Sequence, residues 1–405
     1  MAYRAEIPYG AYWSTPFAKW QGAFANLHAI EFAAHVAKGE LAKRRIAPEA
    51  FDFGVLGMTV PQKSSFYGLP WFMGLLGSGG RKVGGPTINQ ACATSVRCLL
   101  AGAQEIEAGL ASTALIATCD RISNGPHIVY PNPAAPGGTA AHENWVLDNF
   151  SNDPLGGHAM VQTAENVARK YQVTTAQQHE VVLRRVEQYA AALADDRAFQ
   201  KRYMSLPFDV PAPNFNKSAG TLAGDEGVVM STAEGLARLK PVLPDGTVTY
   251  GGQTHPADGS AAVVVATPDK CRELTRDAGI RIGILGFGLA RAELAHMPEA
   301  TIPAAKQALD QSGLAIKDMD AVKSHNPFAV NDIVFARSTG ADLMAMNNYG
   351  CSLIWGHPQG PTGLRSIVEL IEELVIRGGG RGLFTGCAAG DTAMAVVIDV
   401  DTRKH

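Results

Sequence analysis

TINQACATSVRCLLAGAQEIEAGLASTALIATCD, residues 87–120, packs an extended start, a helix and a buried strand into one short run. Thr87–Ala91 reads as extended. Behind Cys92, Val96, Leu99, Leu100, Ala103 and Ile106 recur at three- and four-residue steps, which defines one apolar helix face. Gly109 supplies the stop signal, and STALIATCD then reads as a strand covered on both sides. Cys92 therefore stands where the chain turns into a helix, among small and hydroxyl residues (Ala93, Thr94, Ser95) whose first-turn N–H groups lack helical partners. Such dipoles favour a thiolate over a thiol. Position alone leaves two readings open, a nucleophile or one more small core residue.

The pattern continues outward on both sides. NLHAIEFAAHVAKGELAKRR has amphipathic spacing and FDFGVLGMTV reads as an apolar strand. From about Arg121 the periodicity fades: NGPHIVYPNPAAPGGTAAHENW is rich in Pro, Gly and Asn and reads as an irregular insertion. Two helices follow, VQTAENVARKY and TAQQHEVVLRRVEQYAAALAD, the second opening on a Thr cap and carrying Val182, Leu183, Val186, Tyr189 and Ala190 on its apolar face. PFDVPAPNFNK reads as loop, and a strand resumes within TVTYGGQTHPADGSAAVVVAT. The last third repeats the plan of the first: helix IPAAKQALDQSG, strand AVKSH, helix VNDIVFARSTG, a Gly/Pro-rich turn, helix GLRSIVELIEELVIRGG, then strands RGLFTGC and TAMAVVIDV. Two α/β halves with a helical insertion between them is the predicted architecture.

Bulk properties narrow the function classes. The 405 residues are enough for two or three domains. With 35 Lys+Arg against 38 Asp+Glu the net charge is −3, and no basic surplus points to nucleic acid or an anionic membrane. The N-terminal residues lack a secretory layout, and no apolar run reaches bilayer length. The six cysteines form no C-x-x-C pair, which argues against a zinc site or a disulfide framework and for reduced thiols in a cytoplasmic enzyme.

Three segments of the second half place reactive side chains at strand or turn ends. SLIWGHPQGPTG fixes His357 in a rigid Gly/Pro turn just before a helix. FTGCAAGDTA ends a strand on Cys387, followed by small residues that let backbone N–H groups approach a ligand. KSHNPFAVND sets His325 at a strand end. Taken singly, each has a plain structural reading: a histidine hydrogen-bonding its turn, a cysteine filling core, a helix cap. Their coincidence at the ends of strands in an α/β plan points to one site.

Across nearly its whole length the chain resembles the thiolase family. INQACATS is similar to the family's nucleophile segment, GHPQGPTG to its G-H-P-x-G-x-[ST]-G motif and GCAAGD to its C-terminal C-x-G element. TAENVARKY, AEGLARLKP and STPFAKWQGAF resemble further family segments. The resemblance implies an α/β thiolase fold, a duplicated five-layered αβαβα arrangement with an inserted loop domain. It divides the chain into a first half at 1–120 carrying the nucleophile, a loop domain at 121–245 with the CoA tunnel and oligomer contacts, a return to the first half at 246–271, and a second half at 272–405.

It also implies reversible Claisen chemistry on CoA thioesters, with CoA as substrate, no permanently bound cofactor and no metal. Cys92 matches the acyl-accepting nucleophile, His357 its activating base and Cys387 the acid/base at the α-carbon. His325 matches a catalytic position, Asn326, Ala389 and Gly390 oxyanion and supporting positions, and Met160, Thr254 and Phe328 the lining of the CoA tunnel. The residue types suit these roles. A thiolate attacks a carbonyl readily, imidazole titrates near neutral pH, and the Cys387 thiol titrates not far above it.

Departures from the family pattern carry information. HNPF replaces the frequent N-E-A-F and resembles the H-D-C-F variant with Pro327 for its cysteine; Ala389 replaces the C-x-G glycine; GGQTHPADG replaces N-A-S-G-x-N-D-G. These changes imply an acyl group other than a simple acetyl or straight chain, aromatic or dicarboxylic, and the chain is similar to the thiolase subunit that cleaves benzoylsuccinyl-CoA in anaerobic aromatic degradation. The resemblance implies a homodimer or homotetramer, or a heteromer with a small zinc-containing OB-fold subunit. A biosynthetic condensing enzyme and a thiolase-like subunit inactive without its partner remain alternatives.

Overall fold

Hydrophobic alternation along two long antiparallel strand pairs sets the architecture. In this computed structural model residues 3–402 are described, so Met1, Ala2 and residues 403–405, the outer ends of the first and last predicted units, lie outside the described residues. In chain order the strands are β1 (Tyr12–Ser14), β2 (Ala18–Lys19), β3 (Phe53–Gly57), β4 (Thr87–Ile88), β5 (Thr113–Arg121), β6 (His127–Tyr130), β7 (Ala141–Asn144), β8 (Phe208–Pro211), β9 (Ser218–Leu222), β10 (Ala257–Ala266), β11 (Arg281–Arg291), β12 (Ala321–His325), β13 (Gly380–Ala388) and β14 (Thr392–Asp401). The helices are α1 (Ala29–Arg44), α2 (Gly68–Leu75), α3 (Thr94–Glu107), α4 (Leu147–Ser151), α5 (Met160–Lys170), α6 (Thr175–Arg197), α7 (Ala233–Ala237), α8 (Pro268–Leu274), α9 (Thr301–Ser312), α10 (Ala329–Thr339), α11 (Ser352–Trp355) and α12 (Gln359–Arg377).

Two mixed sheets result. The first runs β1-β10-β5-β3-β4, with β3 parallel to β5 and β10 antiparallel to it. The second runs β11-β14-β13-β12, with β12 parallel to β13 and β14 antiparallel to it. The order and sense of the pairings correspond, so the duplication expected from element order is present in the sheets.

Successive strand residues face opposite sides, and both sides are covered. In β10, Val263 and Val265 join the central core, while Ala262 and Val264 join the layer under α1 and α2. In β14, Met394, Val396 and Ile398 face the centre, and Ala393, Ala395 and Val397 meet α9 and α10. α3 and α12 fill the centre together, contributing Val96, Leu99, Ala103, Leu364, Ile367 and Ile371. Helices, sheet, paired helices, sheet and helices make the five layers, and the expected thiolase fold is the one observed. The predicted face of α3 is buried at all five positions.

Three sequence expectations need correction. The segment read as an irregular insertion contains the β6–β7 hairpin, and PFDVPAPNFNK contains β8, paired with β9. β6, β7 and β9 are mostly exposed, and β8 buries Phe208 and Val210 on one face while Asp209 faces out, so the two-sided apolar signal that marks a core strand is missing. On α6 the buried stripe is Gln178, Val181, Val182, Arg185, Gln188, Tyr189 and Ala192, whereas Leu183 and Val186 are half-buried and Ala190 is exposed. Arg185 turns inward because Asp332 meets its Nε at 3.0 Å and the Met346 and Leu343 carbonyls take its other donors. α6 is capped by a threonine, though by Thr174, one residue ahead of the Thr175 that opens the predicted segment, in a reciprocal cap with Gln177. Among the described residues no helix is long and apolar enough to cross a membrane.

Candidate functional site

The duplicated plan brings two helix starts together. α3 begins just after Cys92, α12 just after His357, and the two helices pack side by side. Ser95 locks the starts to each other: its hydroxyl donates to the Gly360 carbonyl and accepts from Leu364 N–H at 2.8 Å. Ahead of Cys92, Ala91 has φ +44°, a left-handed conformation costing an L-residue roughly 1–2 kcal/mol. Thr94 braces that turn by accepting from Gln90 N–H at 2.8 Å and donating to the Ala91 carbonyl at 2.7 Å.

His357 is held as firmly. Gly356 has φ +93°, and a Cβ there would come within 2.7 Å of His255 Nε2, so only glycine fits without displacement. α12 starts earlier than its hydrophobic pattern suggests, at Gln359. Pro361 sits in its first turn, where a missing N–H costs no helical bond. Thr362 Oγ1 lies 2.7 Å from His357 Nδ1 and donates its own proton to the Pro358 carbonyl at 2.6 Å. Nδ1 must then be the protonated nitrogen, which leaves the Nε2 lone pair facing Cys92 Sγ at 3.1 Å.

His325, at the end of β12, stacks on His357 with centroids 4.0 Å apart. Its Nδ1 lies 2.8 Å from Ser352 Oγ, and its buried Nε2 has no hydrogen-bond partner among the described residues. Cys92, His325 and His357 each bring one ligating atom into a group spanning at most 4.8 Å. Linear spacing could not reveal this group, because each member comes from a different element. Cys387, at the end of β13, is fully buried and accepts from Asn331 Nδ2 at 3.1 Å.

Electrostatics differ from the sequence expectation. The N–H groups of Ala389 and of Cys92 itself do reach the Cys92 sulfur, but burial outweighs them and pushes its thiol up to about 12. Burial also lowers His325 to about 3; it lowers His357 well below the usual imidazole value, with His325 and His255 adding to the effect. The Cys387 thiol is raised by burial and then by the nearby Cys92 sulfur, not left near neutrality. The resting group is thus thiol and neutral imidazole, able to exchange a proton only when a reaction demands it.

Beside Cys92 and His357 lies a cavity of about 250 Å³ walled by Phe150, Met160, Val161, Val242, Met297, Pro327 and Phe328, with Gln253, Thr254, Gln359 and Ala389 also lining it. Among the described residues no Lys, Arg, Asp or Glu lines it. A larger cavity of about 820 Å³ shares Gln253, Thr254 and Pro256 with it and extends past Met230, Ser231 and Tyr250. Of the expected residues, Cys92, His357, Met160, Thr254, Phe328 and Ala389 line the inner cavity. Thr254 turns its hydroxyl away, to the Ser352 carbonyl at 2.5 Å. Asn326 is not in the cavity wall: its amide holds Asp332 at 2.8 Å and the hydroxyl of Ser352, so it supports the group behind His325. Gly390, at φ +79°, forms the turn after Cys387 and Ala389, and its carbonyl accepts from Arg291.

Sequence reasoning missed Ser352, Asn331 and Asp120. The Asp120 carboxylate, at the end of β5, accepts from Thr59 N–H at 2.8 Å, Thr59 Oγ1 at 2.8 Å, Val60 N–H at 3.1 Å and Gly360 N–H at 2.6 Å. It ties the turn after His357 to the first sheet. An aspartate closing a buried strand carries no spacing signal; the fact that one stood there was the only clue.

Residues 11–269 match the family of thiolase N-terminal domains and residues 280–400 that of thiolase C-terminal domains. The chain is 28% identical over 389 residues to human mitochondrial 3-ketoacyl-CoA thiolase, covering 95% of this chain and 96% of that protein. It is 30% identical over 397 residues to acetyl-CoA acetyltransferase of Chromobacterium violaceum, covering 95% and 97%. The crystal structure of human mitochondrial 3-ketoacyl-CoA thiolase superposes with a TM-score of 0.88 at 27% identity, covering 98% of this chain and 100% of that one.

Proposed function

Because the chain belongs to the thiolase family and is an acyl-CoA acyltransferase, we propose that it cleaves a 3-oxoacyl-CoA with CoA through an acyl-cysteine, in a degradative direction. The contact that carries this reading is His357 Nε2 on Cys92 Sγ at 3.1 Å, beside an apolar cavity. His357 takes the Cys92 proton as the sulfur attacks the C3 carbonyl. The N–H groups of Cys92 and Ala389, which now face the sulfur, receive the oxyanion. The C2–C3 bond then breaks, leaving the acyl group on Cys92 and an enolate on the departing thioester. His325 and His357 stabilise that enolate oxygen, and Cys387 gives its proton to the α-carbon. A second CoA thiol then gives its proton to the Cys387 thiolate and attacks the acyl carbonyl, and the departing Cys92 sulfur takes back the proton that His357 holds, which returns all three groups to their starting state. The larger adjoining cavity, opening at Thr254, would take the body of CoA.

The aromatic or dicarboxylic acyl group suggested by HNPF divides on charge. A carboxylate in the inner cavity would lack a counterion and pay desolvation, whereas an aromatic ring would bury apolar area against Phe150, Met297 and Phe328. The aromatic class is therefore our reading. With it go an inserted loop domain at 121–245, self-association or a partner subunit, and a cytoplasmic setting for the free cysteines. The test is thiolysis of a panel of straight-chain, aromatic and dicarboxylic 3-oxoacyl-CoAs, with and without a co-expressed partner, alongside intact-mass detection of the acyl-enzyme. Acylation of a Cys92→Ala chain would remove the reading, and preference for a dicarboxylic substrate would remove the aromatic part.

A further inference from the structure

One hydroxyl proton behind the wall of the inner cavity is claimed twice. Thr59 Oγ1 lies 2.8 Å from Asp120 Oδ2 and 2.6 Å from Gln359 Oε1. Each contact has hydrogen-bond length and needs a proton between its two oxygens. A threonine hydroxyl carries only one. Burial raises the Asp120 carboxyl no further than about 6, so above neutral pH it is an anion and brings no proton of its own. The charged acceptor takes the hydroxyl proton, because a bond to an ionised group is the stronger.

The proton of the second contact must then come from the amide. Gln359 supplies it by exchanging the two ends of that amide, which have the same shape. Its Nε2 donates to Thr59 Oγ1, and its carbonyl oxygen takes the opposite end, which is bonded to no described residue. Gln359 lines the inner cavity with Cys92 and His357, whereas Gln253 and Thr254 lie where that cavity meets the larger one. The oxygen therefore stands with the acyl end of a bound thioester, not with the body of CoA. An acceptor there is selective. A plain ring seated against Phe150, Met297 and Phe328 would leave it unpaired, and a carboxylate would meet it as one acceptor meeting another. A hydroxyl can donate to it.

We propose that Gln359 sets the specificity of the inner cavity, its side-chain oxygen accepting a hydrogen bond from a hydroxyl on the aromatic ring of the acyl group, and that Thr59 is the positioning residue which orients the amide. This names the substrate class more closely and rests on the aromatic reading given above. Thr59 acts on the ring only through Gln359, and Asp120 acts only through Thr59 by holding its proton.

The test is acylation of Cys92 in the full chain, followed by rapid-quench mass spectrometry. The donors are meta- and para-hydroxybenzoyl-CoA and the matching fluorobenzoyl-CoAs, in which fluorine has nearly the size of a hydroxyl and cannot donate. The hydroxy-to-fluoro rate ratio is compared between proteins, so the intrinsic effect of each substituent on the thioester cancels. At the favoured ring position the ratio should fall at least about tenfold from wild type to Gln359→Met. It should fall likewise in Thr59→Val, where the amide has lost its anchor, and return in Thr59→Ser, which keeps the hydroxyl. Circular dichroism establishes that each variant is folded. A wild-type ratio in folded Gln359→Met or in folded Thr59→Val overturns the proposal and leaves the aromatic reading standing, since the aryl donors still acylate the protein. Acylation by no aryl donor rejects the aromatic reading and the proposal together.

Discussion

Cys92 Sγ and His357 Nε2 lie 3.1 Å apart although 265 positions separate them in the chain. Because the thiol is pushed up to about 12 by burial, it will not ionise unaided at neutral pH, and the neutral imidazole must take its proton during attack. Replacing His357 by Ala should slow acylation of Cys92 about 10²–10⁴-fold. Rapid-quench mass spectrometry on an acyl-CoA donor measures this, and an unchanged acylation rate would remove His357 from the role of base.

Cys387 and its donor Asn331, at 3.1 Å, stand outside the cavity wall yet within electrostatic reach of Cys92. Cys387→Ala should leave formation of the acyl-enzyme near the wild-type rate. Exchange of the α-protons of acetyl-CoA with deuterium, followed by NMR, should fall by orders of magnitude. Equal losses in both half-reactions would mean that Cys387 shapes the pocket and does not move the proton.

Asp120 gives a pH signature. Burial raises its carboxyl from 3.8 to about 6 against the pull of its four donors, and Asp258 moves in the same direction to about 6. The folded state thus binds these protons more tightly than the unfolded chain. Their stabilising contribution is full below about pH 4 and is lost as pH rises through about 6. Asp120→Asn should flatten the dependence of urea midpoints on pH across that window. It should also lower turnover, because Gly360 N–H loses its charged acceptor and the turn carrying His357 loosens. A variant whose midpoints track wild type at every pH would contradict the assignment.

Arg365 and Asp225 form a buried two-bond pair, at 2.6 and 2.8 Å, with the guanidinium carbon 4.7 and 4.3 Å from the Phe17 and Trp355 rings. Asp225→Ala leaves the buried guanidinium with Glu369 alone, 3.1 Å from its Nε and shared with Lys323, and a loss of about 3–5 kcal/mol is expected from denaturant unfolding. Asp225→Leu combined with Arg365→Met should recover part of that loss. A double variant less stable than the sum of the singles would show that the pair holds the fold through more than its own charge balance.

Much of this molecule was readable along the chain. The α3 face, the stop at Gly109, the strands β5, β12, β13 and β14 and the cap of α6 come from periodicity and end signals spanning a few turns, so local residues determine them. The motif around His357 and the cysteines at 92 and 387 marked the candidate chemistry in the same way. Tertiary structure alone decided which of these meet. It set His325 against His357, placed Asn326 behind the site instead of in it, turned Arg185 inward to Asp332 and brought Asp120 under Gly360. It also decided the acidity of both thiols, because removal of water, the dominant influence on each, depends on everything packed around a group and on nothing in its immediate sequence.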